Sequence, residues 1–144
     1  MRAFPKSCLH IAAAFAVTTF ASCWALAADV KVTLSGDQEV PPVKTAASGT
    51  GTISVNADKS VSGAVTTQGI KGTAAHIHEG PMGKNGGVAV PMEKSGDNGW
   101  KLPSGAKLTD AQYSAFQAGN LYVNVHSAAH PDGEIRAQMK SSGM

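Results

Sequence analysis

The sequence predicts an all-β fold, an antiparallel Greek-key-like β-sandwich with one short helix. Three observations predict it. Short runs rich in Val, Ile and Thr recur along the chain, each bounded by Gly, Asn, Asp or Pro. Within the clearest runs apolar and polar residues alternate, the period of a strand with one buried face. A single segment, LTDAQYSAFQAGN (108–120), carries start and stop signals of a helix.

The first residues stand apart. A basic start (Arg2, Lys6), an apolar alanine-rich run and the small-residue pattern Ala25-Leu26-Ala27 form the layout of a secretory signal peptide over residues 1–27. The apolar run is too short and too alanine-rich for a permanent membrane span. A lipidated form anchored at Cys23 ranks behind simple cleavage, because Phe20-Ala21-Ser22 is a poor approach to such a cysteine. Residues 28–144 then form one domain around one core. Both cysteines, Cys8 and Cys23, fall in the leader, so the exported chain has no disulfide and no thiolate for a metal.

In chain order, VKVTLSG (30–36) is the first strand. The following QEVPPVKTAASGTG (38–51) holds Pro41-Pro42, which cannot sit inside a sheet ladder and reads as an extended edge or loop. GTISVNA (51–57) and VSGAVTTQGI (61–70) are strands joined by the turn Asn56-Ala57-Asp58-Lys59. AAHIHEG (74–80) and VAVPM (88–92) follow. In the helical segment Thr109 and Gln112 form a capping box and Gly119 supplies the left-handed stop, giving a helix over about 110–118 with Tyr113 and Phe116 facing the sheet. LYVNVHS (121–127), the turn Pro131-Asp132-Gly133 and EIRAQMK (134–140) complete the fold.

Four of the five histidines lie in two short clusters. Strand alternation puts His76 and His78 on one face, with α-carbons about 7 Å apart, a span that two imidazoles can close onto one ion. In LYVNVHS, Leu121, Val123 and Val125 take one face and Tyr122, Asn124 and His126 the other. His130, before the Pro131-Asp132-Gly133 turn, can fold back towards the strand end. An imidazole-rich, cysteine-free donor set suits copper(II) or zinc. A structural alternative is that the imidazoles hydrogen-bond loop carbonyls and brace strand ends.

The remaining features are read more plainly. Met82 and Met92 are gap fillers before they are thioether ligands. Glu79 and Asp132 could orient an imidazole, although turn chemistry accounts for Asp132 equally well. Glu134 and Arg136 are placed on the polar side of the last strand as exposed residues or a modest ion pair. EGPMGKNGG lacks the Ser or Thr and the helix of a phosphate-binding loop. No nucleophile elbow and no carboxylate pair for glycoside chemistry is present. Lys and Arg number twelve against ten Asp and Glu, and the leader holds two of the twelve and none of the ten, so the exported chain is balanced and has no electrostatic case for binding nucleic acid.

LSGDQEVPP, GTGTISV, AAHIHEGPMGKNGG with VAVPM, LTDAQ and GNLYVNVHSAAHPDGEIRAQM, in this order, resemble the CHRD (chordin) domain over about residues 32–139. The resemblance implies a β-rich extracytoplasmic module, periplasmic or secreted. HIHEG and LYVNVH are also similar to the copper-binding strands of copper/zinc superoxide dismutases, which implies a superoxide-dismutase-like sandwich with copper on His76, His78 and His126, and His130 as the remaining candidate. The long zinc-binding loop and disulfide of those enzymes have no counterpart here.

The expected function is therefore metal holding, delivery or tolerance, with copper ahead of zinc and no assigned catalytic residue. A dismutase-like redox enzyme and a metal-free structural or adhesion module are the alternatives. The sequence specifies no protein partner.

Overall fold

The computed structural model describes residues 27–140; the expected leader, apart from Ala27, lies outside them, together with Cys8, His10 and Cys23. Nine strands and one helix follow in order: β1 (Ala28–Ser35), β2 (Ser48–Val55), β3 (Val61–Gln68), β4 (Gly72–Glu79), β5 (Gly87–Pro91), β6 (Glu93–Lys94), β7 (Gly99–Lys101), α1 (Asp110–Gln117), β8 (Leu121–Ser127) and β9 (Ile135–Met139). A 3-10 turn, Gly36–Gln38, follows β1. The fold is all-β and antiparallel, as the alternation requires, and the strand order is β5-β4-β8-β9-β1-β2-β3-β7-β6.

That order explains how one sheet becomes two layers. The β1–β9 junction is registered by a single pair, Ser35 with Arg136, so the sheet bends there. At the other end, the two edge strands β5 and β6 are consecutive in the chain, separated only by Met92. The Met92 amide donates to Ala75 O at 2.9 Å, holding this crossing against β4. The sheet is thus nearly closed on itself. Across the interior Leu34, Ile53, Ile77, Leu121, Val123 and Val125 are all fully buried in one cluster.

The helix follows its sequence signals. Thr109 accepts from the Gln112 amide while the Gln112 side chain accepts from the Thr109 amide, a complete capping box. Gly119, at φ 73°, carries the left-handed stop. Phe116 is buried against the sheet and Tyr113 packs beside it. Two elements went unread in the sequence: β6 and β7 are two and three residues long, too short for any alternation to register. The Pro41-Pro42 segment is a loop, as its composition demands.

The sheet also has a second face. Pairing of β8 with β9 sets Leu121, Val123 and Val125 opposite Met139, Ala137 and Ile135, all core residues. It sets Tyr122 and Asn124 opposite Gln138 and Arg136 on the reverse face. Pairing of β8 with β4 adds His78 beside Tyr122 and His76 beside Asn124. The segments around residues 36–45 and 80–86 cover this face through Asn124 to Glu39, Asn85 to Val40 and Gln138 to Gly80 hydrogen bonds. Every residue of β8 is buried as a result.

Ile77 connects the two faces, because its fully buried side chain fixes the strand that carries both histidines. Ile77→Ala is expected to lower stability by about 3 kcal/mol through lost transfer energy and an unfilled cavity. Urea unfolding checks this; a midpoint unchanged from the parent would contradict the assigned core face.

Candidate metal centre

His76, His78 and His126 each offer a ring nitrogen, and these atoms lie within 4.8 Å of one another. β4 supplies the first two two residues apart, and β8 supplies the third from the adjacent strand. His130 stands outside the group, in the turn after β8, where its backbone amide and carbonyl pair with Ser127. Among the described residues this is the cluster suited to a metal ion. His78 and His126 are buried and His76 is partly so.

Hydrogen bonds to backbone carbonyls set the tautomers. His78 Nδ1 lies 3.0 Å from Gly86 O, and His126 Nδ1 lies 2.9 Å from Pro131 O. A carbonyl only accepts, so both Nδ1 atoms carry the proton and both Nε2 atoms present a lone pair. His126 Nε2 lies 3.0 Å from His76 Nδ1, which must therefore donate to it when the rings are neutral. His78 Nε2 is buried with no hydrogen-bond partner. The cluster thus holds two acceptor nitrogens, His78 Nε2 and His126 Nε2, and one imidazole N–H on His76.

This arrangement fits an ion. Two nitrogens each bonded at about 2.0–2.1 Å to one ion, with 90–109° between the bonds, stand about 2.9–3.4 Å apart. The His76 Nδ1 to His126 Nε2 separation of 3.0 Å already falls there. The remaining separations, within 4.8 Å, must close to about 4 Å or less. An ion would replace the His76 Nδ1 proton, which can move to the outward Nε2 or to solvent. It would also give the His78 Nε2 lone pair a partner, relieving a burial cost of about 1–3 kcal/mol.

Burial and the neighbouring rings favour the neutral forms of His76 and His78. Burial holds the His76 pKa below its ordinary 6.5, with charge on His126 and His78 adding to the effect. Burial also lowers His78, opposed by its Gly86 hydrogen bond and reinforced by His126 and Arg136. Neutral imidazole is the form that binds metal.

The supports behind the rings are largely backbone. Glu79 and Asp132, which the sequence offered as imidazole partners, are exposed, and the carbonyls of Gly86 and Pro131 take that role. Tyr122 stacks on His78 at 5.0 Å and 8° between planes, and its hydroxyl accepts from the Gly86 amide at 3.0 Å. Arg136 caps the other face of Tyr122 at 3.5 Å. Its guanidinium donates to Lys84 O, Pro81 O, Asn85 Oδ1 and Gln138 Oε1.

The sequence reading that placed Glu134 and Arg136 at the exposed polar side is corrected here. Arg136 is 1% exposed and Glu134 is buried, accepting from Thr45 at 2.7 Å, because loops cover the second face of β9. Glu39 was missed altogether. It is buried beside Asn124, and burial pushes its pKa up to about 7, against the lowering effects of Arg136 and of the Asn124 hydrogen bond. Of the methionines flagged in the sequence, Met82 is exposed and Met92 is buried.

A family model described as CHRD domain matches residues 30–139. No curated protein and no solved structure matches the chain.

Glu39 and the histidines should act on stability in opposite senses. Glu39 holds its proton more tightly folded than unfolded, so its contribution, up to about 3 kcal/mol, is present below pH ~4.5 and lost as pH rises through about 7. His76 and His78 are lowered, so their contribution is present above about 6.5 and lost as pH falls. Glu39→Gln should leave only the histidine limb, with stability rising between pH 5 and 7. Chemical denaturation across that range checks it; a Glu39→Gln profile parallel to the parent would refute the assignment.

Proposed function

The chain belongs to the CHRD domain family, and on that premise we propose that it is an exported module that binds a copper ion through His76, His78 and His126, for metal holding, delivery or tolerance. The observation that carries this reading is the gathering of ring nitrogens of His76, His78 and His126 within 4.8 Å of one another, beside a buried His78 Nε2 that has no hydrogen-bond partner. A surface histidine meets water; a buried lone pair without a donor calls for a cation or a proton, and burial disfavours the proton.

The donor chemistry supports copper over zinc. Three imidazoles with no thiolate or carboxylate bind divalent copper more tightly than zinc in the general order of first-row metals. The bound ion supplies redox capacity and Lewis acidity. The chain supplies fixed rings, tautomers set by Gly86 O and Pro131 O, and a Tyr122 ring that keeps one side dry. His130 takes no part in this reading, since its place in the turn leaves it outside the group.

Export is supported by the leader-like residues 1–27 and by the family. No helix among the described residues is long and apolar enough to cross a membrane. A redox role is the second reading, favoured by a donor set of three nitrogens that leaves coordination positions open. Superoxide decay no faster than with the same free copper would remove it.

The protein should bind one equivalent of copper in competition with a chelator, and its melting temperature should rise on loading. His78→Ala and His126→Ala should each weaken binding at least tenfold, whereas His130→Ala should leave it within about twofold. Affinity should fall as pH drops below about 6, because protons compete for the same nitrogens. Equal copper binding by the parent and a His76→Ala, His78→Ala double variant would sink the proposal.

A further inference from the structure

A full positive charge is buried behind the histidines. The Arg136 guanidinium lies 3.5 Å over the Tyr122 ring, and the other face of that ring stacks on His78 at 5.0 Å with 8° between planes. Strand pairing fixes the order: β4 brings His78 level with Tyr122 from one side, while β9 brings Arg136 level with Asn124 from the other. A candidate metal ligand, a phenol and a guanidinium thus follow one another across three strands.

Nothing at contact distance cancels that charge. Arg136 is 1% exposed, so water and salt screen it little. Its four hydrogen-bond acceptors, Pro81 O, Lys84 O, Asn85 Oδ1 and Gln138 Oε1, are all neutral, and no ion pair among the described residues includes it. Glu39 is the carboxyl that acts on it through space, and burial pushes the Glu39 pKa up to about 7, so below that pH it is mostly protonated and offsets little. The charge reaches His78: burial is the main reason that this imidazole resists protonation, and Arg136 adds to the effect.

A field that opposes a proton on His78 opposes any cation held there, and a dication more than a monocation. Two unit charges about 10 Å apart, at an effective dielectric constant of about 20, interact strongly enough to change an equilibrium constant roughly tenfold. Cupric and cuprous ions differ by one such unit. Burial of the rings works in the same direction, because a dry site costs a dication more.

Resting on the copper reading, we propose that the buried Arg136 charge, stacked behind His78 through Tyr122, biases the three-histidine site towards the cuprous ion, so that the cargo held is monovalent copper. Arg136 acts by its charge and not as a ligand. No electron transfer is required of the chain, which takes up copper already reduced.

The test compares affinities for the two oxidation states, cuprous ion in anaerobic competition with bicinchoninate and cupric ion in competition with nitrilotriacetate. Arg136→Gln should lower the ratio of cuprous to cupric affinity about tenfold, a fall of about 59 mV in midpoint potential. Arg136→Lys keeps the charge and should hold the ratio within about threefold of the parent. Because Arg136 is buried and supports the 81–85 segment, Asn85→Asp supplies a second arm: it sets a carboxylate at an exposed acceptor of the guanidinium. It should lower the ratio by about threefold or more, with the melting temperature little changed. An Arg136 that served only to hold the loop would lower both affinities together and leave the ratio alone. An unchanged ratio in Asn85→Asp, or a ratio in Arg136→Lys as low as in Arg136→Gln, would overturn the proposal while leaving copper binding intact. A parent protein that binds copper in neither oxidation state would overturn the copper reading and this one with it.

Discussion

Strand β8 is buried at all seven of its residues, and the rest of the molecule is arranged around that constraint. A strand with one wet face needs only alternate apolar residues. A strand dry on both faces must give every side chain on its second face either an apolar neighbour or a hydrogen-bond partner. Tyr122, Asn124 and His126 occupy that second face, so β4 and β9 must bring matching polar side chains in register, and two loops must close over them. A slip of one residue would put His126 in the apolar core and Val125 among the polar groups.

The two readings of the histidines, ligands or braces, prove compatible because an imidazole has two nitrogens. Gly86 O and Pro131 O take the Nδ1 protons of His78 and His126, which braces the 80–86 segment and the 130–133 turn against the sheet. The same bonds keep both Nε2 atoms as acceptors, His126 Nε2 towards His76 and His78 Nε2 without a partner, and fix the ring planes. Bracing through one nitrogen is thus what preorganises the other, and the loops lose conformational freedom on folding rather than on binding.

Strand alternation made much of this legible in the sequence. The faces of VNVH and of HIH follow from period two alone, as does the presence of seven of the nine strands. The capping box and Gly119 located α1 within a residue of its end. What alternation cannot convey is which loops cover a polar face. Arg136 looked exposed because an arginine in phase with Gln138 is usually solvated. Its burial depends on the 81–85 carbonyls, which approach it from a segment 52 residues away in the chain at Lys84. Glu39 was passed over for the same reason, sitting in a proline-rich stretch with no periodicity to assign it a face. His130 shares a short cluster with His126 in the sequence, but its spacing of four carries it beyond the strand, where the turn sets its position.

The buried charges on the covered face are stabilised unequally, and the inequality has a structural cause. Arg136 is surrounded by acceptors: two carbonyls, two side-chain amide oxygens and the face of Tyr122. A guanidinium so provided needs no carboxylate. Glu39, on the opposite side of Asn124, receives one long bond of 3.3 Å and has one oxygen with none. The loops that cover this face contribute carbonyls far more readily than amides, since prolines and internally bonded turns remove their N–H groups. Such loops satisfy donors and leave acceptors short. The same imbalance explains why the loops hold His78 and His126 by their N–H groups, and why the unmet groups on this face, His78 Nε2, Glu39 Oε1 and Asn124 Oδ1, all call for a positively charged or donor partner.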